Sequence, residues 1–199
     1  MPSARTFTDA DIRRVFRVIS AKRHKERNKA IFALGIASGA RACELASLRV
    51  DQVLNSDGEI ADEIVLSSEQ TKGKRARQLF LGKKARDAVR EYLQYRYKVV
   101  DLRQISEKNY RTCVPLFATQ KAQGFSANSL VGYFSRLMRE AGIRGASSHS
   151  CRHTFATSLA EKGVSPSVLQ KLLGHTQLSV TQKYITVGAH TLRKAVDLI

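Results

Sequence analysis

Apolar positions recur at helical spacing along most of the chain. Ile12, Val15, Phe16 and Ile19 fall at intervals of three and four, one face of an amphipathic helix. Thr8, with Asp11 three positions on, forms a capping-box pattern that sets the start of that helix. The stretch "KERNKAIFALGIASGAR" is more apolar, which predicts a buried helix closed by Gly39 as a C-cap. "ACELASLRV" reads as a short helix that turns Leu45, Leu48 and Val50 inward. Near residue 60 the pattern changes. "EIVLSSEQ" and "RARQLFLG" are short β-prone runs joined by "TKGK", so residues 63–82 are expected to form a hairpin. Helical spacing returns after Lys84, with Ala88, Val89, Tyr92 and Leu93 on one face. "CVPLF" reads as a short extended segment, and Ser126 caps a helix carrying Leu130, Phe134, Leu137 and Met138. Further helices are predicted at about 150–162, 166–173, 177–184 and 190–199. No repeat or linker interrupts this series. The expectation is one domain over residues 1–199, mainly α with a small antiparallel β-sheet or hairpin.

Composition narrows the partners. With 43% hydrophobic residues the chain can bury a sizeable core. Its 34 Lys and Arg against 17 Asp and Glu leave a formal net charge of +17, which points to a polyanion, nucleic acid first. An anionic membrane surface comes second, but no apolar run approaches the ~18 residues of a spanning helix, so no membrane partner is expected. The opening "MPSARTFTDAD" has no apolar core of a secretory signal. Cys43, Cys113 and Cys151 are odd in number and widely spaced, which suits neither a disulfide framework nor a CxxC pair. A reduced, cytoplasmic chain is the simplest expectation, nucleoid-associated if the source is prokaryotic.

The candidate chemistry begins in "SSHSCRHTFATSLAEKG". His149 and His153 are four apart, a spacing that can serve zinc, but Ser150 stands where a metalloprotease needs its glutamate base. Arg152 between them would also repel a cation. His149 and Arg152 are three apart and can converge on one anion, the guanidinium fork matching phosphate oxygens. Other motifs join them. "SGARACEL" places Arg41 after a helix end with Glu44 positioned to hold it, and "TKGKRAR" places Lys72 in a hairpin turn. "LLGH" puts His175 after a glycine break, and Tyr184 follows in "TQKYI". Two arginines, a lysine, two histidines and a tyrosine, without clustered carboxylates, suit metal-free phosphoryl transfer by fixed cations. A tyrosine hydroxyl is a competent covalent nucleophile in such a site.

In order and spacing, "SGARACEL", "TKGK", "HSCRHTFAT", "LLGH" and "TQKYI" resemble the tyrosine recombinases, or phage-type integrases, across residues 38–185. The resemblance implies the catalytic-domain fold of that family and site-specific cleavage and rejoining of double-stranded DNA, without metal or cofactor. It implies that Tyr184 attacks the scissile phosphate to form a 3′-phosphotyrosyl bond, and that Arg41 and Arg152 hold the non-bridging oxygens. Lys72 would protonate the leaving 5′-oxygen, His149 would assist proton transfer at the tyrosine, and His175 would hydrogen-bond the phosphate. Glu44 would support the first arginine. Lys74 competes with Lys72 for the hairpin role. Lys74, Arg75 and Arg77 are otherwise expected to contact DNA phosphates, and His153 to be structural.

Two small departures are Cys151, where the family usually has leucine, and Ala40, where a larger apolar residue is usual. A larger one lies at the front, since only one or two helices precede the motifs. The chain therefore resembles a catalytic domain lacking the N-terminal core-binding domain, as in fimbrial phase-switch recombinases or an excised fragment. The family forms a homo-tetramer on synapsed sites, with free protomers expected to be monomeric. Residues 188–199, with Leu192, Val196 and Ile199 at helical spacing, are expected to dock on a neighbouring protomer. Alternative readings are a type IB topoisomerase-like or telomere-resolving enzyme, or a catalytically silent DNA-binding factor.

Overall fold

The computed structural model describes residues 4–105, 114–120 and 124–185. The expected helix at 190–199, the docking segment 188–199 and Cys113 lie outside them.

Helices α1 (Asp9–Ser20) and α2 (Lys25–Ser38) come first, then two short ones, α3 (Ala42–Ser47) and α4 (Val50–Val53). Strands β1 (Glu63–Leu66) and β2 (Arg77–Phe80) follow. Helix α5 (Lys83–Tyr97) precedes α6 (Ala127–Glu140), α7 (Ser148–Glu161), α8 (Pro166–Leu173) and α9 (Leu178–Gln182). The mainly helical class with a small antiparallel sheet is therefore as expected.

Helix α2 is the centre of the core. Ala30, Ile31, Phe32 and Leu34 are all fully buried, because both α5 and α7 pack on α2. α1 and the residue before its cap also pack on α2: Phe16 and Phe7 set their rings edge-on to Phe32, at 5.1 and 6.1 Å between centroids. The capping box holds its start, with Asp11 N–H donating to Thr8 Oγ1 and Thr8 N–H to Asp11 Oδ2. The small Cys151 side chain is buried where α7 crosses α2 beside Gly35 and Phe134.

The hairpin is one-sided. β1 and β2 pair antiparallel with Ile64 opposite Leu79 and Glu63 opposite Phe80; Ile64, Leu66 and Leu79 are buried while Val65 and Phe80 face solvent. The connecting residues carry Lys72. The buried Thr71 fixes their path, its hydroxyl donating to Arg75 O and accepting from Arg75 N–H.

"ACELASLRV" is not one helix. Leu48 is extended, and a separate helical turn starts at Val50. The cause is a tertiary pairing: Leu116 N–H donates to Leu48 O at 2.7 Å and Val50 N–H to Val114 O at 2.8 Å. Those backbone groups pair with the extended segment in "CVPLF" and are lost to helical bonding.

Gly39 ends α2 with φ +63°, a conformation that costs L-residues energy. A Cβ there would also stand 2.6 Å from Phe155 Cδ1. Gly39→Ala is therefore expected to cost about 2–4 kcal/mol, from strain and overpacking together. Thermal unfolding should show a Tm lowered by roughly 4–16 °C; an unchanged Tm would refute this account of the helix end.

Candidate active site

The turn after Gly39 delivers Arg41 to the N-cap of α3, where its backbone N–H donates to Glu44 Oε2 at 2.7 Å. Its side chain returns to the same carboxylate, Nη1 to Oε1 at 3.1 Å. Glu44 is fully buried, so one interior carboxylate fixes both the backbone and the guanidinium of Arg41.

Arg152 comes from the first half of α7. The Ser147 hydroxyl accepts from His149 N–H, and Ser150 Oγ accepts from Ser147 N–H, which starts the helix at Ser148. His149 is thus exposed at the helix start, while Arg152 is only 5% exposed. Arg152 donates from Nη1 to Gly39 O at 2.7 Å and from Nη2 to Leu173 O at 2.6 Å. It is pinned between the end of α2 and the end of α8. Burial, and repulsion from Arg41 and Arg77, push its pKa down to about 10, so it stays charged at neutral pH.

α8 ends at Gly174, with φ +62°, and the chain then presents His175. His175 Nδ1 lies 2.9 Å from Thr181 Oγ1, a fully buried residue of α9. Burial, with Arg152, Arg41 and Arg77 nearby, pushes the His175 pKa down to about 4, so the imidazole is neutral at pH 7. Just past α9, the half-buried Tyr184 stacks on His175, centroids 6.1 Å apart and planes 12° apart. His153 also packs edge-on against the Tyr184 ring, centroids 4.9 Å apart.

Two adjoining clefts contain this chemistry. One, about 710 Å³, is lined by Arg41, His149, Arg152, His153, His175 and Tyr184. The other, about 580 Å³, is lined by Lys72, Arg75 and Arg77 together with Arg41 and His175, which the two share. All six residues expected to act on the phosphate therefore line a continuous basic depression. Lys72 lines the second cleft, whereas Lys74 lines neither and holds a left-handed turn position at φ +49°. Among the described residues, no three of His, Cys, Asp and Glu come together as a metal site would need.

Arg77, expected to contact DNA phosphates, lines the second cleft with its side chain largely buried. Its side chain is 8% exposed and is turned inward, Nη1 donating to Leu173 O at 2.5 Å and Nη2 standing 3.8 Å from Glu44 Oε2. Sequence reasoning also missed Thr181, although its position three residues before Tyr184 on a short helix was a usable signal. The two carbonyls that hold Arg152 left no side-chain signal to read. Lys183 is a further basic residue at the tyrosine cleft.

The neutral His175 carries a pH prediction. Its folded pKa lies below its unfolded value of 6.5, so the unfolded chain takes up the proton first as pH falls. Its contribution is complete above pH 6.5 and is lost as pH falls from there towards 4. Denaturant midpoints at pH 7 and pH 4.5 should therefore converge more closely in His175→Gln than in the parent. Equal slopes in both proteins would contradict this.

Comparison with known proteins follows the same lines. The phage integrase family model matches residues 5–190. The tyrosine recombinase XerC of Syntrophus aciditrophicus is 33% identical over 173 residues, which is 86% of this chain and 52% of that protein. The tyrosine recombinase XerD of Corynebacterium glutamicum is 32% identical over 169 residues, 84% of this chain and 51% of that one. The chain thus spans about half the length of these curated relatives. Among solved structures, the XerA recombinase shares the fold at TM-score 0.72 and 22% identity, covering all of this chain and 66% of that one. The XerH site-specific recombinase bound to its palindromic difH substrate, in a post-cleavage complex, superposes at TM-score 0.69 and 21% identity, over 96% of this chain and 51% of that one. On the family match across nearly its whole length, this chain belongs to the phage integrase family.

Proposed function

We propose that this chain is the catalytic domain of a site-specific DNA recombinase, cleaving and rejoining double-stranded DNA through a 3′-phosphotyrosyl intermediate at Tyr184. The observation that carries this reading is the placement of Tyr184, stacked on His175, in one cleft with Arg41 and Arg152. A scissile phosphate bound between the two guanidinium groups would meet fixed donors that need no rearrangement as charge develops. The Tyr184 oxygen attacks phosphorus, the bond to the 5′-oxygen breaks, and Lys72 gives that oxygen its proton. The tyrosine proton leaves towards His149, which lines the same cleft. When Thr181 donates to His175 Nδ1, the imidazole proton sits on Nε2 and is available to a phosphate oxygen. Because the phosphotyrosyl bond conserves the energy of the broken phosphodiester, rejoining runs by the reverse step and needs no external energy source.

The formal charge of +17 supplies the sequence-independent part of DNA affinity. Arg75 and Lys74, exposed in the hairpin connection, are placed to meet the backbone outside the scissile position. Strand exchange between two sites requires protomers paired across two duplexes. We assign this chain the family's tetrameric synapse, with residues 188–199 as its docking segment.

The test is a randomised library of nicked duplexes in which the short cleaved product diffuses away and traps the intermediate. Protein that carries DNA through denaturing electrophoresis is the expected result, and sequencing the trapped DNA gives the cleavage site. A library that yields no covalent complex would overturn the proposal.

A further inference from the structure

Arg77 carries a buried charge that the proposed reaction leaves without a role. Its position joins three parts of the site. The Leu173 carbonyl that accepts its Nη1 also accepts Arg152 Nη2, so two guanidinium groups share one backbone oxygen. On its other side Nη2 faces Glu44, the carboxylate that holds Arg41. Arg77 also opens β2, the strand that follows the Lys72 connection.

The surroundings leave Arg77 little freedom. A Cβ added at Gly174 would stand 2.9 Å from Arg77 Cδ and 3.0 Å from its Nη1. The left-handed glycine after α8 therefore leaves the room that this side chain fills. Nε and Nη2 are buried without a hydrogen bond. A buried guanidinium with two unbonded donors is costly, since burial penalises the charge, Arg41 repels it, and Glu44 is the main group that opposes that penalty. A surface salt bridge or a packing role would not require such an arrangement.

We propose that Arg77 is a positioning residue, which sets the place of Arg152 through the shared Leu173 carbonyl and ties it to the Arg41–Glu44 pair. It does not touch the phosphate. Without it, Leu173 O has one donor fewer, the end of α8 is free to shift, and the Arg152 fork loses its register on the scissile phosphate. This inference rests on the recombinase reading above.

The test uses the full chain and a nicked duplex carrying the site recovered from the library. Arg77→Gln should slow single-turnover cleavage about 30-fold while DNA affinity stays within about threefold, a split that loss of non-specific contacts does not give. In an Arg152→Lys background, adding Arg77→Gln should change the rate by less than about threefold, because the group through which Arg77 acts is already misplaced. Arg77→Lys, which keeps the charge but cannot reach both acceptors, should fall between parent and Gln and serves as the test variant if Arg77→Gln does not fold. Losses that multiply in the double variant, or affinity that falls in step with cleavage, would overturn the assignment while leaving the recombinase reading intact. Parent protein that forms no covalent complex overturns both.

Discussion

Arg152→Ala should lose cleavage by about a thousandfold or more, the scale on which single charged or hydrogen-bonding groups act on phosphoryl and acyl transition states. It should also lose stability, which a surface cation would not. The side chain is 5% exposed and gives its donors to Gly39 O and Leu173 O, carbonyls that end two different helices. Truncation leaves the buried Gly39 O unsatisfied, at about 1–3 kcal/mol, and takes one of two donors from Leu173 O, which keeps Arg77 Nη1, at about 0.5–1.5 kcal/mol more. Relief of repulsion from Arg41 and Arg77 offsets part of that cost. The net expectation is about 2–4 kcal/mol of destabilisation, read from denaturant unfolding. Cleavage assayed where the variant is still folded separates the two effects. A variant that loses activity with full stability would show that the two carbonyl bonds contribute little.

Glu44→Ala is expected to be the most damaging single change to the stability of the site. Glu44 is fully buried, holds the Arg41 backbone and side chain, and faces Arg77. Its removal leaves Arg41, Arg77 and Arg152 close together with no interior anion, and breaking a buried pair from one side costs about 3–5 kcal/mol. Glu44→Gln should cost less, because an amide oxygen can still accept from Arg41 N–H. The predicted order in chemical denaturation is parent, then Gln, then Ala. Gln and Ala variants of equal stability would mean that the carboxylate charge, and not its capping bond, is all that matters.

Much of the fold was legible because its causes are local. The 3.6-residue period of α1, α5 and α6, the alternation of β1 and β2, the Thr8 capping box and the Gly39 terminator are all written within a few residues. The break between α3 and α4 was not, because its cause is the pairing of Leu48 and Val50 with a segment more than sixty residues away. The site shows the same division. Arg41, His175 and Tyr184 announce themselves by residue type beside a glycine or a helix end. Arg77 reads as a surface arginine, since arginine is seldom buried. Only the folded chain brings Leu173 O and Glu44 to it.

The central claim is that Tyr184 is the nucleophile and takes the 3′ end of the cleaved strand. Tandem mass spectrometry of the nuclease-trimmed, protease-digested covalent complex tests it most directly. The expected result is one modified peptide, carrying a 3′-linked nucleotide on Tyr184, a free 5′-hydroxyl on the released strand, and no adduct from Tyr184→Phe. A nucleotide on any other residue, a 5′ linkage, or an adduct that survives Tyr184→Phe would contradict it.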